Sequence, residues 1–340
     1  GAEAVNFDDR SWNVVSTPHT VELMPAEGSG CRNYQGPAWY RKHFVLPAET
    51  KGQRVVLHFE AAMGKQILYL NGKRIQEHLG GYLPFTLDLT ANGVQAGDSC
   101  LLAVFTDNSD DKSYPPGKRQ YTLDFAYHGG IYRDVWMIAK SPVAITDAID
   151  SQIVGGGGVF VHFDKISEKS AQVYVNTEVQ NDDARSESVT VETTLTDADG
   201  KVIKRSSGKL SLKPGEKKSI RQQMEVKNPT LWSPDTPYLY RVQSRIKKGN
   251  KSIDGGITRV GIRLAEFRGK DGFWLNGKPF GQLVGANRHQ DFAYVGNALP
   301  NSQQWRDAKR LRDAGCTIIR VAHYPQDPAF MDACDELGLF

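Results

Sequence analysis

The chain has 340 residues, of which 39% are hydrophobic and 24% charged, and 42 Lys and Arg against 39 Asp and Glu leave a net charge of +3. That length suggests two or three domains of ordinary globular composition. The small charge excess, with no run of five or more like charges, argues against a nucleic-acid surface or a basic membrane patch, and no apolar stretch reaches bilayer length. The four cysteines, Cys31, Cys100, Cys316 and Cys334, show neither metal-ligand spacing nor a dense framework. Cys316, in an apolar strand run, and Cys334, on an apolar helix face, read as buried free thiols. The chain starts at Gly1 and shows no signal-peptide h-region, so any export leader is expected to have been removed. The expected location is periplasmic or secreted.

From Trp39 to about Ile138 the text reads as strands. Val55, Leu57 and Phe59 in RVVLHFEA alternate with the period of a half-buried strand. Asn71-Gly72 stands between two strand-like pieces and suits a type I′ turn, whose two central residues take positive φ. No long amphipathic helix interrupts, so residues 1–142 are expected to form an antiparallel sandwich. A second all-β stretch follows over 143–265. Val173, Val175, Thr177 and Val179 alternate, and Asp-Gly or Gly-Asn pairs separate the strands, which suits a small immunoglobulin-like sandwich. The glycine run Gly155 to Gly158 reads as a turn, because neither a helix nor a Lys-Ser/Thr pair follows to make it a phosphate cradle.

The pattern changes over 266–340. FWLNGKPF is a hairpin around Asn276-Gly277, and Gln282 to Asn287 is a short buried strand. A helix follows with Ser302 as N-cap, Trp305, Ala308, Leu311 and Ala314 on one face, and Gly315 as its left-handed stop. CTIIRVA is the next strand, apolar enough to be covered on both faces. The last helix has Asp327 as N-cap, Pro328 at its first position and Gly338 past its end, with Phe330, Cys334 and Leu337 along one side. Leu339-Phe340 would open a further strand. Strand, helix, strand, helix is the grammar of a parallel α/β sheet or barrel. A complete eight-fold barrel needs about 250 residues, so the remainder is expected beyond Phe340. A partial barrel would expose a strand edge and apolar helix faces. Segment 269–340 is therefore expected to be disordered, aggregation-prone or paired with another chain.

In such barrels the reactive groups stand at the C-terminal ends of the strands. Asn287-Arg288-His289-Gln290-Asp291 follows the first strand and His323-Tyr324-Pro325 the second, which would put His289 and His323 on one rim. A single histidine there is expected to satisfy loop backbone; two at matching strand ends point to a shared ligand. A His/His/Asp zinc site is the rival chemistry, but no third ligand lies at short range and no HExxH spacing appears. No G-x-S-x-G elbow supports a serine nucleophile. Asp291 lies near the rim, without a second carboxylate evidently placed to make an acid and nucleophile pair.

GPAWYRKHFVLP (36–47), YLNGKRIQEHLGGYLPFTLDLT (69–90), HGGIYRDVWM (128–137), LWSPDTPYLY, RVGIR (259–263), GANRHQD and RVAHYPQDPAFMDACDELGLF together resemble glycoside hydrolase family 2, the β-galactosidases, β-glucuronidases and β-mannosidases, and most resemble its β-galactosidases. The resemblance runs over nearly the whole chain. It implies a multidomain, mainly β architecture: a sugar-binding jelly-roll sandwich, an immunoglobulin-like sandwich, then the start of a (β/α)8 TIM barrel. It also implies a retaining exo-glycosidase acting on a terminal β-linked sugar, most like a terminal β-D-galactosyl residue. Both catalytic glutamates are then expected beyond Phe340, so the chain alone is expected to be inactive.

By the same resemblance His289 supports the transition state, His323 binds sugar hydroxyls, and Asp107 holds sugar hydroxyls at the barrel mouth, with Asn108 and Arg288 as weaker candidates. Ala322 stands where the family usually has serine. Read from the residues alone, Asp107 is a turn aspartate ending a strand, and the Arg288 fork suits bidentate pairing with a carboxylate encoded further on. The implied partner is a carbohydrate substrate, with no nucleic acid and no membrane. No cofactor is predicted. A structural or active-site cation and self-association are left open, as are β-glucuronidase or β-mannosidase action and a free-standing carbohydrate-binding module made of the two sandwiches.

Overall fold

A computed structural model describes residues 1–24 and 33–340; Cys31 lies outside the described residues. The chain forms two compact units. The first comprises Gly1–Ala139, Asn287–Arg306 and Arg320–Phe330, and the second Lys140–Ala286, Asp307–Ile319 and Met331–Phe340.

The first unit carries β1 (Pro37–Val45), β2 (Arg54–Phe59), β3 (Lys65–Leu70), β4 (Lys73–Leu79), β5 (Phe85–Asp88), β6 (Ser99–Asp107) and β7 (Val135–Lys140). One sheet has the order β1-β6-β3-β4 and the other β5-β2-β7. The alternation read in β2 is realised: Val55, Leu57 and Phe59 are buried, and they share a core with Leu68, Leu87, Leu102 and Val104. Asn71 and Gly72 take φ of 50° and 81° in the two-residue loop joining Leu70 to Lys73. The Asn71 side chain also accepts from the Leu101 N–H at 2.8 Å, which ties the turn to β6.

The second unit carries β8 (Val143–Ile145), a short helix α1 (Ala148–Ser151), β9 (Val159–Asp164), β10 (Ser170–Asn181), β11 (Glu187–Thr196), β12 (Val202–Leu212), β13 (Lys217–Lys227), β14 (Tyr240–Lys248) and β15 (Lys251–Val260). Its sheets run β13-β10-β8, with β9 also on β10, and β12-β11-β14-β15. Val173, Val175, Leu195, Met224 and Val242 close the core between them. The glycine run is the turn from α1 to β9, with positive φ at Gly155, Gly157 and Gly158. β16 (Ala265–Phe267), β17 (Phe273–Leu275) and β18 (Lys278–Pro279) follow, with the expected hairpin at Asn276-Gly277, where φ is 53° and 79°.

The last segment holds β19 (Gly285–Arg288), α2 (Asn301–Asp313), β20 (Ile318–Val321) and α3 (Pro328–Leu337). The Thr317 N–H bonds to the Val284 carbonyl and the Ala322 N–H to that of Arg288, so β19 and β20 run parallel. They approach so closely that a Cβ on Gly285 would lie 1.7 Å from the Ile318 carbonyl oxygen. Asp327 caps α3 as expected, its carboxylate accepting from the Ala329 N–H at 2.8 Å, and Gly338 ends the helix with φ of 76°.

Three details depart from the expectations. α2 begins at Asn301, so Ser302 lies inside it, and the N–H groups of Gln303 and Gln304 bond to the Pro300 carbonyl. The buried stripe of α2 runs through Gln304 and Ala308 to half-buried Leu311, leaving Trp305 and Ala314 exposed. A glutamine occupies that stripe because its side-chain oxygen accepts from Arg288. Cys316 is half-buried rather than buried, because it sits in the turn past Gly315, before β20 begins. Met331 and Val284 are also exposed apolar residues of this segment.

Leu87 is 0% exposed and Leu79 47%. Leu87→Ala should therefore destabilise the chain by about 2–5 kcal/mol, and Leu79→Ala by under about 0.5 kcal/mol, as read from urea unfolding followed by fluorescence.

Candidate functional site

The parallel pairing of β19 and β20 brings their C-terminal ends level. His289 follows Arg288 and His323 follows Ala322, the two residues joined by a backbone hydrogen bond. The two imidazoles therefore meet, with ring centroids 5.8 Å apart and planes at 69°. Phe125 forms the wall behind them. Its ring lies 5.9 Å from His289, nearly parallel at 19°, and 5.7 Å from His323. Asp124 completes the cluster, with Oδ2 3.3 Å from His323 Nε2. Ligand-capable atoms of Asp124, His289 and His323 all lie within 4.8 Å of one another.

Buried polar groups fix this arrangement. Arg288 places one guanidinium nitrogen on Gln326 Oε1 and the other on Gln304 Oε1 at 2.8 Å, with its carbon 4.0 Å from the centre of the Phe330 ring. Gln326 Nε2 returns a bond to the Arg288 carbonyl at 2.6 Å. Arg133, from the loop before β7, donates to Gln290 Oε1 at 3.0 Å and to the Pro325 carbonyl at 2.7 Å. It thereby holds the loop after each histidine. Tyr82 stacks on Tyr324 at 4.4 Å and 7°.

The charges follow from hydrogen bonding and burial. The Asp124 carboxyl is exposed and is held below the usual carboxylate range chiefly by its hydrogen bond with His323. Burial pushes the Asp327 carboxyl up, against the opposing pull of Arg133 and Arg288. Burial likewise raises the Tyr324 hydroxyl. An exposed acceptor beside two imidazoles, backed by an aromatic face and open to solvent, suits a polyhydroxyl ligand, because Asp accepts and imidazole both donates and accepts.

The residues singled out from the sequence separate here. His289 and His323 come together as expected. Arg288 stands beneath them, and the fork expected to pair with a carboxylate is occupied by two glutamine oxygens. Asp107 is not part of the cluster: at the end of β6 its carboxylate accepts from the Ser109 N–H at 2.8 Å, the turn role available to it from sequence. Asn108 is a buried knot, accepting from the Gly36 N–H and donating to the carbonyls of Tyr34 and Tyr127. Asp124, Phe125 and Arg133 are not singled out by the sequence. The signal they offer is that Arg133 stands inside HGGIYRDVWM and the other two just before it, in a motif of the sandwich. The third His/His/Asp donor, sought at short range, comes from 199 residues away.

Comparison with known proteins agrees with this architecture. Three profiles of one family match in order: Glycosyl hydrolases family 2, sugar binding domain, over residues 5–142; Glycosyl hydrolases family 2 over 157–263; and its TIM barrel domain over 267–340. The chain belongs to glycoside hydrolase family 2. It is 34% identical to a beta-galactosidase of Thermoanaerobacter pseudethanolicus, over 98% of this chain and 42% of that protein. It is 32% identical to a beta-glucuronidase of Formosa agariphila, over 99% and 35%. The solved structure of a Bacteroides uniformis beta-glucuronidase superposes with a TM-score of 0.89 at 32% identity, over 100% of this chain and 39% of that one. The chain thus spans less than half the length of these relatives.

His128, four residues past Asp124, is 1% exposed, with Nδ1 3.2 Å from Asn297 Oδ1. Burial holds it below the ordinary imidazole value. Below about pH 6.5 the unfolded chain takes up the proton first, so the folded state loses stability as pH falls from there toward the depressed folded value. His128→Gln should flatten that fall, seen as a smaller drop in Tm between about pH 7.5 and pH 5.5 than in the wild type.

Proposed function

We propose that the chain is the sugar-recognising part of a retaining exo-β-glycosidase that removes terminal β-D-galactosyl residues, with both catalytic glutamates encoded beyond Phe340. The observation that carries this reading is the meeting of His289 and His323, at the ends of two parallel strands, with Asp124 from the sandwich, against the Phe125 ring. A pyranose offers several hydroxyls in fixed directions. A site that bonds each of them discriminates strongly, because an epimer leaves polar groups unpaired. Hydroxyl contacts that tighten in the transition state also speed glycoside cleavage. Chemistry is assigned to the missing glutamates and orientation to this rim.

Relatives named as beta-glucuronidases supply a second reading, cleavage of a terminal glucuronide. The Asp124 carboxylate favours the neutral galactoside, since a uronate carboxylate on the same rim would meet like charge. Asp107, implied by the family resemblance to hold sugar hydroxyls, stands outside the Asp124, His289 and His323 cluster, at the Ser109 turn.

In the full-length protein, His289→Ala, His323→Ala and Asp124→Asn should each lower kcat/KM on a chromogenic β-galactoside by on the order of 100-fold, the equivalent of about 2–3 kcal/mol for a hydrogen bond to a charged or buried group. Tm should change little. Wild-type kinetics in the two histidine variants would refute the assignment. A higher kcat/KM on a β-glucuronide than on the galactoside would transfer the reading to that substrate.

A further inference from the structure

The same rim gathers the donor set of a metal site. Asp124, His289 and His323 come from three separate segments of the first unit and offer one oxygen and two nitrogens within 4.8 Å of one another. One imidazole nitrogen, His289 Nδ1, is buried without a hydrogen-bond partner among the described residues, and an unsatisfied buried polar atom calls for a partner such as an ion. Zinc binds imidazole nitrogen at about 2.0–2.1 Å and carboxylate oxygen at about 2.0–2.2 Å in tetrahedral geometry, so its donors lie roughly 3.3–3.5 Å apart. The His323 and Asp124 side chains are 33% and 65% exposed, so both have room to rotate and close that gap. Two imidazoles and one carboxylate select zinc-like ions over magnesium or calcium, which prefer all-oxygen shells.

We propose that Asp124, His289 and His323 bind one divalent transition-metal ion of the zinc class, with the fourth position open to solvent. The proposal stands apart from the glycosidase reading, because it is tested with the metal alone. The two meet in one consequence: the ion occupies the donors assigned to sugar hydroxyls, so it and the sugar exclude each other, and zinc is a reversible inhibitor at this rim.

The test is equilibrium dialysis of the 340-residue chain against Zn2+, with Co2+ absorption as a report on coordination. One ion per chain is expected, with visible d–d bands from a low-symmetry nitrogen and oxygen shell and no displacement by excess Mg2+. His323→Ala and Asp124→Asn should each weaken binding at least about tenfold, the loss typical even of residues one step removed from a metal, with near-UV circular dichroism unchanged. His43→Ala, which removes an exposed histidine 3.4 Å from Asp9, should leave binding intact. No stoichiometric binding, or binding that survives both rim substitutions, would overturn the proposal. Loss of binding on His43→Ala would assign the ion elsewhere and overturn it equally.

Discussion

The site depends on a buried guanidinium. Arg288 is 6% exposed and ends β19, and its two terminal nitrogens reach Gln326, in the loop before α3, and Gln304, on α2. Gln326 answers by donating to the Arg288 carbonyl. A planar fork suits this use, because two parallel donors fix direction as well as distance. Leaving such a charge or its acceptors unpaired in the interior costs several kcal/mol, so these partners are strongly held together. His289 is the next residue along one strand, and His323 precedes Gln326 by three. Fixing the arginine and the glutamine fixes the imidazoles.

The other half of the rim comes from the sandwich. Arg133 holds both histidine-bearing loops through Gln290 and the Pro325 carbonyl. Tyr82, Phe125 and Tyr324 pack in one aromatic cluster behind them. The loop that supplies Phe125 also supplies Asp124. A β-sandwich thus contributes an acid and an aromatic wall to the ends of barrel strands, and neither part alone forms the rim. The same construction explains its two proposed ligands. Two imidazoles and a carboxylate that match a set of hydroxyls also match the donor set of a soft-to-borderline cation, and the exposed Asp124 and His323 side chains adapt to either.

Local pattern made most of the architecture readable. The alternation at Val55, Leu57 and Phe59, the Asn-Gly hairpins and the Asp327 cap each follow from the backbone geometry of a few neighbouring residues. Reasoning from hydrophobic period failed at α2. There Gln304 rather than Trp305 faces inward, because a polar side chain is buried where it has a charged partner. The histidine pair was legible because both residues follow apolar strands at matching ends. Asp124 was not, since the 164 residues between it and His289 leave no local trace of the contact.

Ring-proton NOE measurement on the histidines of the folded chain tests the gathered rim most directly. With the centroids of His289 and His323 5.7–5.9 Å from that of Phe125, both imidazoles should show cross-peaks to the same phenylalanine ring, and the two should show cross-peaks to each other. Cross-peaks from Phe125 to neither histidine would contradict the account, and with it both the sugar and the metal reading.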